Sequence, residues 1–276
     1  MECRLARDRL RKAQWVSPLV AGPAAFWFGF FLVVPLAIVL VTSLARRGTY
    51  GGIVAQFSLA NYARVLDPIY LSVVARSVGL AVVTTGSCLL IGYPMAFFVA
   101  RARPKLRWAL LILIVTPFWT NFVVRAYAVR SVLHSLEGWG WELLNTPTAV
   151  WIGMVGSYLP FMVLPLFVAL EKFDFTLLEA ARDLGATPAR AVRAVLLPGT
   201  RAGIITGSIL VFTPALGEFV IPDILGGART LLLGNLITDQ FLKARDWPFG
   251  SALSVLLIAL IAALLIAAST YGGREV

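Results

Sequence analysis

Charged residues are scarce in this sequence. Only 14% of its 276 residues are Asp, Glu, Lys or Arg, whereas hydrophobic residues make up 59%. A soluble domain has about 25% charged residues, so the composition excludes an ordinary soluble protein. The apolar residues form long runs instead of the alternating pattern of a membrane β-barrel. The composition therefore predicts an all-α integral membrane protein.

Residues that carry out chemistry are also few. His134 is the one histidine, and Cys3 and Cys88 are the two cysteines. An intramembrane enzyme needs a nucleophile–base pair or a metal cluster, so we expect no catalytic residues, no metal and no enzymatic activity. Cys3 lies in a basic tail and Cys88 in an apolar run, which argues against a disulfide. A phosphate-binding run of the form G-x-x-x-x-G-K-[ST] is missing, so we expect this chain to bind no cofactor.

Six runs of apolar residues are long enough for transmembrane helices, which need about 20 residues each. The predicted division is a basic N-terminal tail (1–18), a six-helix transmembrane domain (19–271) and a short C-terminal tail (272–276). The predicted spans are 19–44, 72–100, 108–129, 150–170, 203–224 and 252–271.

The net charge of +10 follows the predicted topology. Of the 24 Lys and Arg residues, 15 lie before the first span, between spans two and three, between spans four and five, or after the last span. Loops rich in Lys and Arg face the cytoplasm. The distribution predicts that both termini are cytoplasmic, and it explains the basic character without nucleic-acid binding.

The fifth predicted span contains helix-disrupting residues. Pro214, Gly217 and Pro222 all lie within 203–224. Broken helices at membrane depth are tolerated where they line a cavity or pack within protein. We expect this span to line a translocation path; the alternative is a kinked helix that only packs closely on its neighbours.

The loop between spans four and five, residues 171–202 (the 171–202 loop), predicts two short helices. Gly185 fits a left-handed residue that ends the first helix. Thr187 fits an N-cap and Pro188 the first position of a second helix, which we expect to reach about Leu196 and to be stopped by Pro198-Gly199. The first helix is amphipathic, with an apolar face predicted from Leu177, Leu178, Ala181 and Leu184.

A protruding helix pair of this kind suits docking into a groove on a soluble partner. From the residues alone, a helix resting on lipid headgroups is an equal alternative.

The spacing within the 171–202 loop carries a resemblance to a known family. Glu179-Ala180-Ala181 is followed after three residues by Gly185, and after nine more by Val195-Leu196-Leu197-Pro198. This resembles the pattern E-A-A-x3-G-x9-I-x-L-P, by which membrane subunits of binding-protein-dependent ABC importers contact their ATPase subunits. Val195 replaces the isoleucine. The resemblance implies that the coupling residues are Glu179, Ala180, Ala181, Asp183, Gly185, Leu197 and Pro198.

Most of the chain is similar to membrane subunits of spermidine/putrescine importers. The similarity includes Pro117-Phe118-Trp119-Thr120, Pro214-Ala215-Leu216-Gly217-Glu218-Phe219 and Asp246-Trp247-Pro248. It implies a type I ABC importer permease fold in the bacterial cytoplasmic (inner) membrane. The implied partners are an ATPase dimer that holds ATP and Mg²⁺, a second similar permease subunit, a periplasmic or lipid-anchored substrate-binding protein, and membrane lipid.

A path for polyamines should offer carboxylates and aromatic faces to an elongated cation. Glu218, Asp223, Trp119 and Arg125 are the candidates for that path. The alternatives are an ion pair between Glu218 and Arg125, an interfacial role for Trp119, and a snorkelling role for Arg125.

Other transport functions remain open. Importers of the same class carry ferric iron, thiamine, opines or aminophosphonates, and their selectivity depends largely on the binding protein. An ion-coupled secondary transporter is a more distant alternative. It would need several intramembrane ion-coupling residues, and Glu218 is a single candidate of that kind.

Overall fold

The computed structural model of the protein describes residues 2–48, 52–54, 56–138, 140, 142–227 and 230–272. Helices account for most of these residues, and a short hairpin connects the first two. In chain order the elements are α1 (Glu2–Ser43), β1 (Arg46–Arg47), β2 (Ile53–Val54), α2 (Ala60–Val65), α3 (Pro68–Arg101), α4 (Pro104–Val115), α5 (Phe122–Glu137), α6 (Pro147–Glu171), α7 (Thr176–Asp183), α8 (Pro188–Ala191), α9 (Leu197–Gly199), α10 (Arg201–Leu216), α11 (Leu233–Leu242) and α12 (Trp247–Gly272). A 3-10 turn (Thr116–Trp119) follows α4, and π-helical turns (Val192–Leu196 and Pro222–Gly226) follow α8 and α10.

Among the described residues, four helices are long and apolar enough to cross a membrane, and two bent helix pairs raise the number to six. The four are Ala25–Ser43, Pro68–Arg101, Pro147–Glu171 and Trp247–Ala268. The predicted all-α membrane fold is therefore confirmed. The cytoplasmic placement of the termini stays a prediction.

The third predicted span, 108–129, is wrong as a single straight helix. Pro104–Trp119 and Phe122–Glu137 meet at an angle of 100°. Pro117 lacks the N–H that would continue the helix. The side chain of Asn121 accepts a hydrogen bond from the backbone N of Val123 at 2.9 Å and so begins α5.

The fifth predicted span, 203–224, is interrupted, as its glycine and proline residues predicted. α10 ends at Leu216, and a non-helical stretch precedes the π-helical turn Pro222–Gly226. At its other end α10 meets the helical segment Pro188–Gly199 at 70°. The disruption expected from the glycine and proline residues is therefore present, and it leaves a straight helix only about 24 Å long.

The first helix begins earlier than the first predicted span. α1 begins at Glu2, within the predicted 1–18 tail. Residues 273–276 of the predicted C-terminal tail lie outside the described residues.

α3, α6 and α10 form the centre of the fold, and two glycines of α10 allow close packing with α6. A Cβ on Gly203 would lie 2.5 Å from Ala169 Cβ and 2.8 Å from Pro165 O. A Cβ on Gly207 would lie 2.7 Å from Met162 Sδ. Small residues let helix backbones approach closely in membranes. The glycines of α10 therefore determine how closely it packs on α6.

At the end of the bundle opposite to the 171–202 loop, a buried carboxylate connects several elements. Asp246 is 1% exposed and pairs with Arg64 at 2.8 Å and with Arg47 at 3.8 Å. The Arg64 guanidinium also lies 4.0 Å from the ring centroid of Phe249. Burial lowers the pKa of Arg64, but its hydrogen bonds to Asp246 and Tyr70 outweigh that effect and the net shift is upward. This cluster ties α2 and the β1–β2 hairpin to the start of α12.

Candidate functional site

The first helix of the 171–202 loop, α7, is preceded by an aspartate that bonds its first residue. Asp174 Oδ1 accepts hydrogen bonds from the Thr176 hydroxyl at 2.8 Å and from the Thr176 backbone N at 3.0 Å. These two hydrogen bonds lower the pKa of Asp174. Both hydrogen bonds favour the charged carboxylate at the start of the helix.

The end of α7 matches the prediction. Gly185 has φ +82°, in the left-handed region. Its backbone N donates to Arg182 O at 2.8 Å, and the backbone N of Ala186 donates to Ala181 O at 3.0 Å. These two bonds form a Schellman motif, which satisfies the last carbonyl groups of the helix. A side chain at residue 185 would strain that conformation.

The second helix begins as predicted and ends at the predicted stop. The Thr187 hydroxyl oxygen accepts from the backbone N of Arg190 at 3.4 Å, with Pro188 at the first helical position. The helical segment continues past Leu196 through a π-helical turn and ends at Gly199, within the predicted Pro198-Gly199 stop. The 70° bend follows at Thr200, which is fully buried and whose hydroxyl lies 2.9 Å from Tyr93 Oη.

The predicted apolar face of α7 is only half correct. Leu178 is buried and Ala181 is half-buried against the core, but Leu177 is 51% and Leu184 89% exposed. Leu177 lies about 100° around the helix from Leu178, and Leu184 lies beyond the last helical residue. Both leucines therefore point away from the transmembrane bundle.

Several of the predicted coupling residues share the outer surface of the loop. Glu179 and Pro198 are exposed, whereas Leu197 is half-buried. The full set of exposed predicted coupling residues is Glu179, Ala180, Asp183, Gly185 and Pro198. A surface of small, apolar and charged groups next to the exposed Leu184 can contact a groove on a soluble protein.

An aromatic cluster attaches this loop to α3. Phe175 packs edge-to-face on Phe97 and on Phe173, with ring centroids 5.9 and 5.4 Å apart. The Arg101 guanidinium lies 5.5 Å from the Phe175 ring and 5.7 Å from the Phe97 ring. A Cβ on Gly199 would come within 2.4 Å of the Phe173 ring. The loop therefore packs directly on the last turns of α3.

Glu218 lies in the break after α10, and its carboxylate is fully engaged. It is 7% exposed. Its Oε1 accepts from the backbone N atoms of Phe219, Val220 and Ile221 at 3.0, 2.8 and 3.2 Å. Its Oε2 accepts a hydrogen bond from the Tyr158 hydroxyl of α6. The carboxylate caps the helical turn that follows the break.

Glycine allows a second close approach at this break. A Cβ on Gly234 of α11 would lie 2.5 Å from Gly217 O and 2.6 Å from Glu218 O. The neighbouring Asn235 donates from Nδ2 to Phe219 O at 2.8 Å, and its buried Oδ1 has no hydrogen-bond partner within the described part of the chain. α11 therefore packs directly on the broken backbone.

The other three path candidates do not join Glu218. Arg125 donates to the backbone O of Pro117 and lies 3.4 Å from Thr120 O, so it braces the bend between α4 and α5 instead of pairing with Glu218. Trp119 is 86% exposed, and Asp223 is exposed. The four residues do not form one polar cluster.

Sequence reasoning missed Tyr158 and Asn235. Tyr158 stands in an otherwise apolar helix, where a buried hydroxyl needs a partner, and that was the available signal. Within the described residues, no group of three or more His, Cys, Asp or Glu side chains could hold a metal ion.

The fold is that of a helical membrane protein with an exposed two-helix loop, the 171–202 loop, between two central helices. Residues 89–272 match the family described as binding-protein-dependent transport system inner membrane component, and the chain belongs to this family. It is thus an inner-membrane, multi-pass component of a bacterial ABC transport system.

Known proteins with similar sequence or structure agree with that family. The chain is 42% identical over 253 residues to the spermidine/putrescine transport system permease protein PotB of Salmonella typhimurium (strain SL1344), covering 87% of this chain and 88% of the relative. A bacterial ABC transporter involved in import of the acidic polysaccharide alginate has the same fold, with TM-score 0.70, 17% identity and 99% of each chain covered. A second structure of an alginate ABC transporter, in complex with an alginate pentasaccharide-bound periplasmic protein, also has TM-score 0.70 and 17% identity and covers 95% of this chain and 96% of its own.

Proposed function

We propose that this chain is a permease subunit of an ATP-driven polyamine importer and forms half of its translocation path. The observation that carries the proposal is the 42% identity, over 87% of the chain, to a spermidine/putrescine permease. The aligned region covers nearly the whole chain and therefore includes both the membrane helices and the 171–202 loop. The cargo would be an elongated organic cation such as spermidine or putrescine.

The energy would come from a separate ATPase dimer, so this chain would bind no cofactor and catalyse no reaction itself. The 171–202 loop would dock on that dimer through its exposed surface. Glu179 and Asp183 would orient the contact, Ala180 and Ala181 would allow close approach, and Gly185 would hold the turn. The proposed coupling residues are Glu179, Ala180, Ala181, Asp183, Gly185, Leu197 and Pro198.

Closure of the ATPase dimer on ATP would move the loop and open the path to the opposite side. The aromatic contacts of Phe175 with α3 and the 70° bend at Thr200 support this proposal, because they link the loop to two central helices. Docking on a cytoplasmic ATPase would require the loop to be cytoplasmic, and the distribution of Lys and Arg supports the same side for the loop and both termini.

The complete importer would also contain a second, similar permease and a periplasmic or lipid-anchored substrate-binding protein. The alginate ABC transporter, whose membrane chain has the same fold as this one, was solved in complex with a periplasmic protein. The path would run between the two permeases. Candidates for contact with the cation remain Glu218, Asp223, Trp119 and Arg125, although the carboxylate of Glu218 already accepts four hydrogen bonds.

The test is the ATPase activity of the importer assembled in proteoliposomes from this permease, its second permease, its ATPase and its binding protein. We expect spermidine- or putrescine-loaded binding protein to stimulate ATP hydrolysis. Replacement of Glu179 by Ala, or of Gly185 by Val, should remove the stimulation while the bundle remains folded. Leu184→Ala, next to the motif, serves to measure the contribution of the exposed leucine.

Other outcomes would change the assignment. Stimulation only by a binding protein loaded with ferric iron, thiamine, an opine or an aminophosphonate would retain the importer and reject polyamines. Failure to associate with any ATPase, together with uptake driven by an ion gradient, would reject the importer and favour a secondary transporter.

A further inference from the structure

Arg76 lies on α3 at the end of the bundle opposite to the 171–202 loop. α3 is 34 residues long, or about 51 Å. Residues 77–100, between Arg76 and Arg101, contain no charged side chain and span about 36 Å. The hydrocarbon core of a bilayer is about 30 Å thick. The two arginines therefore lie at the two boundaries where the hydrocarbon meets the headgroups.

The Arg76 side chain has no protein partner within the described part of the chain. It is exposed, and neither a hydrogen bond nor an ion pair to another described residue satisfies its guanidinium. Arg107, near the other end of α3, shows the contrast, because it pairs with Glu171 at 2.8 Å and donates to Ala100 O. An unpaired arginine at this boundary extends toward the headgroups, where lipid phosphates supply a counter-charge.

Beside Arg76 lies an apolar groove with a volume of about 560 Å³. This volume is within the ~300–1,000 Å³ of typical small-molecule sites. The indole of Trp151 forms one wall and is fixed by a hydrogen bond from Nε1 to Ser87 Oγ at 3.1 Å. The other walls come from the same face of α3, the start of α6 and the chain before α11. Lining residues besides Trp151 include Gly79, Leu80, Val83, Pro147 and Leu231.

We propose that this groove binds one membrane phospholipid, with its phosphate on Arg76 and an acyl chain along Gly79, Val83 and Trp151. A phospholipid combines the anion that the unpaired guanidinium requires with the apolar chain that the groove accepts, and it brings both at the depth where Arg76 lies. The same arginine argues against a cationic cargo in this groove. The proposal does not depend on which substrate the importer carries.

The test is photo-crosslinking in proteoliposomes that contain the assembled transporter and phosphatidylglycerol with a diazirine in its acyl chain. We expect labelling of the peptides that contain Trp151 and Leu231. Arg76→Gln should reduce that labelling about fivefold, the equivalent of about 1 kcal/mol for one basic side chain near an anionic lipid surface.

Two glycine variants provide a matched pair. A Cβ at Gly79 or at Gly86 meets no heavy atom within 4 Å, so both positions open onto space that a side chain can enter. Gly79 lines the groove, whereas Gly86 lies about 10 Å further along the same face of α3 and outside it. Gly79→Leu should fill the groove and abolish the labelling; Gly86→Leu should leave it unchanged. This pair keeps the test decisive if Arg76→Gln lowers the yield of the transporter.

Two results would overturn the proposal. One is an absence of labelling at Trp151 and Leu231 in the unmodified transporter, as expected if a protein partner covers the groove. The other is equal labelling of the unmodified protein, Arg76→Gln and Gly79→Leu, as expected for lipid that contacts the surface without a defined site.

Discussion

Replacement of Glu218 separates two roles for its carboxylate, the capping of the broken helix and the binding of a cationic substrate. Glu218→Ala removes the cap of Phe219, Val220 and Ile221 and leaves the Tyr158 hydroxyl without an acceptor. Loss of an N-cap costs about 0.5–2 kcal/mol, and an unsatisfied buried polar group costs about 1–3 kcal/mol. We therefore expect Glu218→Ala to lower the free energy of unfolding by about 2–4 kcal/mol.

Glu218→Gln is the matched control for charge. Its amide oxygen can accept the three backbone hydrogen bonds of the cap, and its amide nitrogen can donate to the Tyr158 oxygen. We expect this variant to keep most of the stability that Glu218→Ala loses. If Glu218 also contacts the cargo, Glu218→Gln should lower transport while the transporter remains as stable as before.

The assay is thermal unfolding of the purified transporter, followed by substrate-stimulated ATP hydrolysis. A loss of about 3 kcal/mol corresponds to a fall in Tm on the order of 6–12 °C for a chain of this size. Tyr158→Phe removes the orphaned hydroxyl, so its combination with Glu218→Ala should be about 1–3 kcal/mol more stable than the sum of the single losses. The capping argument would be refuted by a Glu218→Ala variant as stable as the original protein.

Three further predictions concern other parts of the chain. Asp246→Ala should lose about 1–3 kcal/mol of stability, because the carboxylate is buried but its arginine partners are about half exposed. Asp239→Ala, which breaks an ion pair with the exposed Lys243, should leave Tm nearly unchanged in the same thermal assay. Gly185→Ala should reduce substrate-stimulated ATP hydrolysis through about 1 kcal/mol of strain at φ +82°, and Gly185→Asn should reduce it less, since asparagine tolerates that region. Gly203→Ala should destabilise the bundle by about 1–3 kcal/mol through overpacking, but Gly156→Ala, where an added Cβ meets no atom within 4 Å, should be neutral; equal Tm values would contradict this account of the helix contact.

The local features of the 171–202 loop were predictable because their causes are local. The left-handed Gly185 and the cap at Thr187 with Pro188 depend on hydrogen bonds that cross only a few residues. The apolar face of α7 was less predictable. Periodicity shows which residues share a face, but not where the rest of the protein lies, and Leu177 and Leu184 face away from it.

The two bent spans show the limit of a hydropathy argument. A run of apolar residues predicts that a segment lies in the membrane, but it does not distinguish one straight helix from two helices at an angle. Pro117 and Asn121 carried the local signal for the bend at the third span. The environment of Glu218 was beyond sequence reasoning, because its partner Tyr158 lies 60 residues earlier and only packing of α6 on α10 brings the two together.

The close contact of α10 with α6 has a mechanical consequence. Gly203 and Gly207 leave no space between the two helices, so sliding or rotation of one against the other would require atoms to overlap. α10 is also bounded by two interruptions, the 70° bend at Thr200 and the break at Gly217. The degrees of freedom of this part of the molecule are therefore concentrated at two joints, with a rigid two-helix body between them.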